Sequence, residues 1–524
     1  MKKTMKQYSF ASRLKSLALV FSIGLAFTSC ANEDIAQNPN GKDNDANLTT
    51  FSTGDPATRT SMESDGKFFW EAGDKIYVKD DNGTWHASSN SPTGKTDNFK
   101  FKVPGTYTAH TSYEVYYPGQ GGSNDQAVIA AYQSQAEPNT TTHFGAAGDC
   151  GMATATKVTG KQQFAFTLDH KAAYLLFLPR TSNTILHDCY LTKVEVNSDN
   201  DITSTYTLDP ATGKLTGTGT GKQIIVSTGG SGTYANGFPL TNTATSAATN
   251  GAYVVIKPGT HTLKIRYWVK DIVTNVEGTI TKTLTQATYD QNKYYNITAN
   301  LNVHDYDGDH YYMWDAQNQY WYGYEWTKNL PGNTGQPTLN SHRSSNYPQS
   351  SSDLNNRWYN ESYPGYGVSN PATHTPCKDL PNVNEMTWYA AKGDPRWDAD
   401  ELWTTMGHLY KGGMWFKKKS QISGYNANTA YDGSDWRTTT KSQSWSVSQT
   451  LPSAADANNY FYLPALGSYS TGQQDLVDYY GCYWSSSAEP RYNGYAYNLT
   501  FSYNSAFVSY ASRNTGYRVE PTFE

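Results

Sequence analysis

One short stretch of this sequence has the residue types and spacing of a metal site. His304 to His310 (HDYDGDH) alternates aspartates with other residues, and Asp305, Asp307 and Asp309 could present carboxylate oxygens to calcium. The stretch lacks the bidentate glutamate that completes an EF-hand loop. A polar interdomain linker is therefore favoured over a calcium site.

The sequence motifs that would indicate nucleotide binding or catalysis are incomplete or absent. Gly217 to Lys222 (GTGTGK) has the look of a phosphate loop, but the first required glycine is Thr216 and the magnesium-binding hydroxyl is replaced by Gln223. The sequence contains no HExxH, GxSxG or paired-carboxylate motif. We therefore expect no cofactor and no enzymatic activity.

Four cysteines follow Cys30, namely Cys150, Cys189, Cys377 and Cys482. None lies in a CxxC pair, which excludes a zinc ribbon and a thioredoxin motif. In an oxidising envelope, Cys377–Cys482 and Cys150–Cys189 are candidate disulfides, and free buried thiols are the alternative. The spacing alone leaves the pairing open.

The chain is rich in aromatic residues, with 42 tyrosines and 14 tryptophans. Strand propensity explains most of them. An exposed aromatic cluster, however, often marks an interface. We predict a ligand-binding surface in one such cluster, which comprises Tyr320, Trp321, Tyr322, Tyr324 and Trp326.

The N-terminus has the features of an export signal. Basic residues precede an uncharged apolar run, Leu17 to Phe27, which is too short to span a bilayer and suits a signal peptide. Phe27-Thr28-Ser29-Cys30 resembles a lipobox, which predicts a signal peptide over 1–29 and diacylation of Cys30. The alternative is an ordinary signal peptide with an incidental cysteine. Residues 30–50 are polar and predict a disordered tether.

The elements after the tether are mostly short strands with turn signals between them, which favours β-sandwiches over 51–180 and 181–302. The continuous apolar run Tyr174 to Leu178 predicts a strand buried on both faces. Residues 205–216 predict a hairpin around a Pro-Gly turn, and residues 253–269 predict another. The net charge of −5, without a basic patch, excludes nucleic acid as a partner.

The second half of the chain has a different pattern. Residues 303–375 are polar and aromatic with little periodicity, and we predict a linker and a loop-rich lead-in. Residues 376–524 predict an α+β domain. Its two expected helices begin at capping boxes, at Asn382 and Asp398, and end at Gly393 and Gly412. Strands come after the helices.

The first half resembles the fimbrillin family of Bacteroidetes type V pili. The resemblance lies in Thr58-Arg59-Thr60, Gly73 to Val78 (GDKIYV) and Phe166 to Leu175 (FTLDHKAAYL). It implies two stacked, transthyretin-like β-sandwiches. It also implies that a protease cuts after Arg59 and that the strand of another fimbrillin subunit then fills the groove, which is β-augmentation. The alternative is that Arg59 is an ordinary loop arginine.

The last part resembles the Fibrobacter-type major paralogous domain, which is similar to C-type-lectin-like and formylglycine-generating-enzyme-like folds. The resemblance lies in Phe461 to Ala465 (FYLPA), Gly481 to Ser487 (GCYWSSS) and Arg513 to Val519 (RNTGYRV). Calcium-dependent lectins use Glu-Pro-Asn and Trp-Asn-Asp motifs. This sequence has Glu489-Pro490-Arg491 and no Trp-Asn-Asp, so calcium-dependent lectin activity is not expected.

Together these features predict a mainly β surface adhesin in the fimbrium, lipid-anchored and exposed at the outer membrane. We expect a tip or accessory subunit of a type V pilus, with 376–524 as a contact head for a host or bacterial surface protein or glycan. The membrane is a partner through the lipid alone. The alternatives are a monomeric glycan-binding lipoprotein and, remotely, a formylglycine-generating-type enzyme.

Overall fold

The computed structural model of the protein describes residues 6–9, 48–53, 61–62, 68–325, 334–363, 365–368, 370–520 and 523–524. The first strands are β1 (Lys6–Ser9), β2 (Leu48–Thr53), β3 (Ser61–Met62), β4 (Phe68–Phe69), β5 (Tyr77–Lys79), β6 (Trp85–Ala87), β7 (Lys100–Pro104), β8 (Ser112–Tyr117), β9 (Gln126–Ile129), β10 (Tyr132–Gln135), β11 (Gly151–Lys157), β12 (Gln163–Phe166) and β13 (Asp169–His170).

The middle strands are β14 (Ala173–Arg180), β15 (Cys189–Ser198), β16 (Ser204–Asp209), β17 (Lys214–Thr216), β18 (Gln223–Thr228), β19 (Phe238–Pro239), β20 (Ala252–Ile256), β21 (Gly259–His261), β22 (Leu263–Asp271), β23 (Glu277–Thr283), β24 (Ala287–Tyr289) and β25 (Lys293–Asn300). The last strands are β26 (Asp305–Tyr306), β27 (Tyr311–Tyr312), β28 (Arg396–Thr405), β29 (His408–Lys417), β30 (Gln443–Ser446), β31 (Tyr460–Pro464), β32 (Leu466–Ser470), β33 (Gln473–Val477), β34 (Gly481–Ala488), β35 (Tyr495–Ser502), β36 (Ser505–Ser512) and β37 (Tyr517–Arg518). The α-helices are α1 (Phe144–Ala147), α2 (Ala247–Asn250), α3 (Thr375–Lys378) and α4 (Val383–Lys392).

The predicted fold class, mainly β, is confirmed. The N-terminal sheet has the order β6-β5-β8-β11-β12-β2-β7. It curls around an aromatic core that includes Trp70, Phe101 and Phe164. The curl brings β7 back beside the end of β6, where the Ser89 N–H donates to the Lys102 carbonyl at 2.7 Å. Within the described residues, no helix has the length and apolar character that crossing a lipid bilayer demands.

The strand predicted to be buried on both faces, β14, is confirmed and joins two layers of the protein. Leu175 and Phe177 point into the core of the second sandwich. Tyr174 and Leu176 point the other way, into a cluster with Phe144. Because β14 pairs with β20 and β25, it belongs to the second sandwich and not to the unit predicted over 51–180.

The second sandwich packs a sheet with the order β1-β25-β14-β20 against strands β10-β18-β15-β22-β23. The sheet of these five strands continues past β23 into β28, β29 and β31. The hairpin of β16 and β17 is confirmed, and its Gly213 has the positive φ, 67°, that such a turn needs. The hairpin predicted over 253–269 is wrong. β20 pairs with β14, whereas β22 pairs with β15 and β23 in the facing sheet.

The C-terminal domain, which we call the head, packs α4 against a sheet with the order β27-β37-β34-β35-β36-β30. The capping box at Asn382 is confirmed: the Asn382 side chain accepts from the backbone of Glu385, and the Glu385 carboxylate accepts from the Asn382 N–H at 2.8 Å. The second predicted helix is wrong. Residues 396–417 form the hairpin of β28 and β29.

Part of the predicted linker belongs to the head core. Tyr311, Trp314 and Trp321 are buried there, and β27 pairs with β37. Residues 303–325 therefore contribute packing to the head and are not a spacer. Much of 334–375 consists of turns, as the prediction of a loop-rich lead-in expected.

A buried polar cluster joins the second sandwich to the head. The Arg266 Nη2 donates to Asp398 Oδ1 at 2.8 Å, and both side chains are almost fully buried. The Glu401 carboxylate accepts from the N–H and the hydroxyl of Thr281 at 2.9 and 2.6 Å. Burial, reinforced by the charge of Asp398, raises the pKa of Glu401 to about 7. Because Arg266 and Thr281 lie on strands of the second sandwich, this cluster fastens the two units together.

Candidate functional site

Strand β2 is an inner strand of the N-terminal sheet. It runs parallel to β12 on one side and antiparallel to β7 on the other. Its last residue, Thr53, directly precedes the segment that contains Arg59. Loss of β2 would separate β7 from β12 and would leave the hydrogen-bonding edges of both strands unpaired.

The side chain of Phe51 holds β2 in the core. It is fully buried, stacks on Phe164 at a centroid distance of 5.2 Å and meets the edge of Tyr107 at 5.2 Å. At the end of the strand, the Thr53 N–H donates to the Phe99 carbonyl at 3.2 Å. Removal of β2 would therefore open a slot with apolar walls and backbone donors and acceptors.

Both walls of this slot are held independently of β2. On one side, β12 pairs with β11 through Thr156 and Lys157. On the other, the Asn90 side chain bonds β7 twice, donating to the Lys100 carbonyl at 2.9 Å and accepting from the Lys102 N–H at 2.7 Å. The slot could therefore persist after β2 has left.

Three predicted site residues, Cys30, Arg59 and Trp326, lie outside the described residues. The predicted aromatic surface near Trp326 is only partly correct. Tyr322 and Tyr324 are 48% and 37% exposed, and Arg357 lies over the Tyr324 ring at 4.9 Å. Tyr320 and Trp321 are fully buried because Tyr320 stacks on Tyr469 in the head core and Trp321 meets the same ring edge-on, so their predicted exposure is wrong.

The head presents a different aromatic surface, which we call the tyrosine–arginine patch: Tyr363, Tyr366, Arg491, Tyr492 and Tyr495. Its tyrosines are 39–76% exposed. The Arg491 guanidinium lies 5.3 Å from the Tyr492 ring and 6.0 Å from the Tyr366 ring. The Tyr363 hydroxyl donates to the Arg491 carbonyl at 3.0 Å. Two loops far apart in sequence thus form one surface of tyrosine and arginine, residue types enriched at binding hot spots.

A buried carboxylate holds the loop that carries Arg491 and Tyr492. Glu489 is fully buried and accepts from the backbone N–H groups of both residues, at 2.9 and 2.5 Å. It also accepts from the Thr440 hydroxyl. These bonds make the loop a preorganised contact surface. The patch was not predicted from the sequence. A signal was present, because its tyrosines lie near glycines and prolines in turns, where burial in a strand does not explain an aromatic residue.

The four described cysteines are free and buried, so neither candidate disulfide is present. Burial raises the pKa of Cys377, and it raises the pKa of Cys482 to about 12. The Cys377 sulfur accepts from the Asp315 N–H at 3.2 Å and packs in a small core cluster with Trp314. Buried thiols with raised pKa values are inert, which argues against the enzyme alternative.

Two of the three aspartates in the metal-like stretch make hydrogen bonds to other residues of the protein through their carboxylates. Asp305 accepts from the Thr404 hydroxyl at 2.8 Å. Asp307 accepts from the Asp309 N–H at 3.1 Å and contacts His310 Nδ1 at 2.6 Å. Burial, together with the charge of Asp307, raises the pKa of Asp309. In the part of the chain that the structure describes, no three histidine, cysteine or acidic side chains are grouped to hold a metal ion.

No protein-family model and no curated protein sequence matches this chain. Among solved structures, a fimbrial protein from Bacteroides ovatus ATCC 8483 is 12% identical with a TM-score of 0.25, over 90% of this chain and 98% of its own. The fimbrial anchor protein Mfa2 from Porphyromonas gingivalis is 10% identical with a TM-score of 0.21, over 46% of this chain and 82% of its own.

A proposed cell adhesion protein from Bacteroides uniformis ATCC 8492 is 14% identical with a TM-score of 0.28, over 49% of this chain and 94% of its own. Scores of this size do not carry a function from those proteins to this one. A function for this chain has to rest on the geometry of the slot and of the tyrosine–arginine patch.

Proposed function

We propose that this chain is a fimbrial surface adhesin: a tip or accessory subunit that accepts a donor strand in the slot of β2 and makes contact through the head. The protein is, on this proposal, also a lipoprotein: lipid attached to Cys30 holds it at the outer membrane, and the folded domains face outward. The observation that carries it is the arrangement of β2, a half-buried strand between two independently held neighbours, with the Arg59 segment directly after it.

The accepting role has a structural basis in β-augmentation. An extended peptide in the slot would regain the backbone bonds of β7 and β12, and a large apolar side chain at the Phe51 position would refill the core.

The residues at the other end of the sequence are engaged elsewhere. β37 pairs with β27 and β34, and Phe523 packs in the head core with Tyr389 and Phe461. These residues are therefore not themselves available as a donor strand.

A protease and a peptide together test the accepting role. We expect a trypsin-like protease to cut the mature chain near Arg59 and to leave the remainder folded. Once the released fragment is removed in mild denaturant, a labelled peptide of residues 46–55 should bind the cut chain and not the uncut chain. An Arg59→Ala variant is the matched control and should resist the cut. General degradation, or a chain that stays whole, contradicts the proposal.

The contact role predicts a loss of binding on substitution in the patch. We expect the Arg491→Ala/Tyr492→Ala double variant of the full chain to bind a glycan array or an epithelial cell layer at least about tenfold more weakly than the unaltered chain. Truncating hot-spot residues of this type costs more than about 2 kcal/mol. Tyr479→Ala is the control, because Tyr479 is 50% exposed and lies outside the patch. Equal binding by all three chains would exclude the patch.

The alternative, a monomeric glycan-binding lipoprotein, shares the patch and lacks the strand exchange. Binding of a polysaccharide by the uncut chain, together with no capture of the peptide by the cut chain, would favour that alternative. Capture of the peptide favours the fimbrial subunit.

A further inference from the structure

The backbone pairing between the second sandwich and the head is short. β23 and β28 are neighbours in one sheet, but their register contains a single residue pair, Thr279 and Glu401. Cavities of about 200 and 160 Å³ border the same place, and Glu401 lines the smaller one. The proposed function assigns no role to this junction.

Side chains of the sandwich hold Glu401 at the junction. The Glu401 carboxylate accepts from the N–H and the hydroxyl of Thr281 at 2.9 and 2.6 Å, and from the Thr279 hydroxyl at 3.1 Å. The Thr279 hydroxyl accepts in turn from the Arg266 Nη2 at 2.7 Å, and the same nitrogen donates to Asp398 Oδ1 at 2.8 Å. Two buried acids, Glu401 and Asp398, therefore share one arginine, and Glu401 reaches it only through a hydroxyl group.

Other ionisable groups face Glu401 or Arg266 from the strands around them. On β22, Lys264 donates to the Pro452 carbonyl. On β28, Asp400 pairs with Lys411. The remaining groups are Glu195, which acts on the Arg266 charge from β15, and the side chains around the smaller cavity: Lys282, His304, Tyr306 and Tyr462. Within the described residues, none of these side chains bonds the Glu401 carboxylate.

The surroundings of Glu401 favour its neutral form. The residue is 9% exposed, and its carboxylate bonds hydroxyl and peptide groups in place of a cation. Burial, and then the charge of Asp398, raises the pKa of Glu401 to about 7. A protonated carboxyl group also fits the site, because it can donate to the Thr281 hydroxyl, which both donates and accepts.

We infer that the junction is a proton-sensitive contact, which is closed while Glu401 is protonated and loosens when Glu401 loses its proton. An ionised Glu401 regains water when β28 moves away from β23, and the adjoining cavity gives water and protons a route to it. The head then gains freedom to turn relative to the second sandwich. This inference concerns the junction alone and does not depend on the proposed function.

The raised pKa of Glu401 sets the direction of the pH effect. In the open junction the carboxyl group is solvated, and its pKa returns to the ordinary value of about 4.3. The closed form is therefore favoured most below that pH and is progressively disfavoured up to about pH 7, beyond which this group adds no further change. Over this range the opening constant rises by at most about tenfold for each pH unit.

Hydrogen exchange on the uncut mature chain tests this inference. We expect the protection factors of β28, which already allow for the effect of pH on intrinsic exchange, to fall at least about tenfold between pH 5 and pH 7. Those of β14, in the core of the second sandwich, should change less than about threefold. Equal protection of β28 at the two pH values would overturn the inference.

Three variants identify the group responsible. Glu401→Gln should remove the fall, because glutamine is neutral at every pH and keeps the shape of the protonated acid. Asp400→Asn, the preceding residue on β28, is the matched control and should keep the fall. Thr281→Val removes a hydroxyl that bonds the ionised form, so the fall should extend above pH 7. This last variant keeps Glu401 and gives a second test should Glu401→Gln not fold. An unchanged fall in Glu401→Gln, or a fall that ends at the same pH in Thr281→Val, would contradict the assignment.

Discussion

Replacing Asp398 with alanine is expected to lower the free energy of unfolding by about 3–5 kcal/mol, because it removes the carboxylate that forms an ion pair with the buried Arg266. The pair spans the junction of the second sandwich and the head at 2.8 Å, and its side chains are only 7% and 2% exposed. The substitution also removes the acceptor of the Trp415 indole N–H. Urea unfolding followed by tryptophan fluorescence would measure the loss.

Two further variants separate the charge from the packing. Asp400→Ala lies on the same strand and removes only a partly exposed pair with Lys411 at 3.4 Å. It should cost no more than about 1 kcal/mol. The Arg266→Met/Asp398→Leu double variant should recover most of the stability, since it replaces both members of the ion pair with apolar side chains. A loss as small for Asp398→Ala as for Asp400→Ala would mean that the junction does not depend on this ion pair.

Phe51→Ala is expected to destabilise the uncut chain by about 3–5 kcal/mol, which is typical of a fully buried phenylalanine. The loss has two parts, the apolar area of the ring and the cavity left between Phe164 and Tyr107. Thermal unfolding of the N-terminal sandwich would report it. Thr49→Ala, on the same strand and only partly buried, should have an effect below about 1 kcal/mol.

The same substitution tests whether β2 leaves the protein. If the protease cut releases β2, cut chains with and without Phe51→Ala should have the same stability after the fragment is removed, because residue 51 belongs to the fragment. In the peptide assay, the 46–55 peptide with alanine at position 51 should bind the slot more weakly than the native peptide. A difference between the two cut chains would indicate that β2 remains bound.

Helix α4 was predictable because its determinants are local. The capping box joins residues three apart, and Met386, Tyr389 and Ala390 repeat at helical spacing toward the core. The failed helix over 398–412 had a similar pattern. Its apolar residues Leu402, Met406, Leu409 and Tyr410 recur at helical spacing, but the intervals of four among them also fit the two-residue period of a strand. A turn with positive φ at Met406 and Gly407 resolves the ambiguity in favour of the hairpin.

Strand partners were less predictable than strands. β20 and β22 are both recognisable as apolar segments, yet they lie in facing sheets. Each is buried over most of its length, so alternation along the chain does not specify which neighbour it joins. The two-residue alternation of β15 is also interrupted: a bulge after Leu191 lets Leu191 and Val194, three residues apart, both face the core.

The β class, the export and lipidation expectations, α4 and the β16–β17 hairpin follow from the sequence alone, because they depend on composition or on residues within a few positions of each other. Which tyrosines are exposed, that the described cysteines stay free, and that β2 fills a slot between β7 and β12 emerge from the folded structure. Arg266 and Asp398 illustrate the reason, which is that contacts between distant residues decide these features. They are 132 residues apart, and nothing local in either segment encodes their contact.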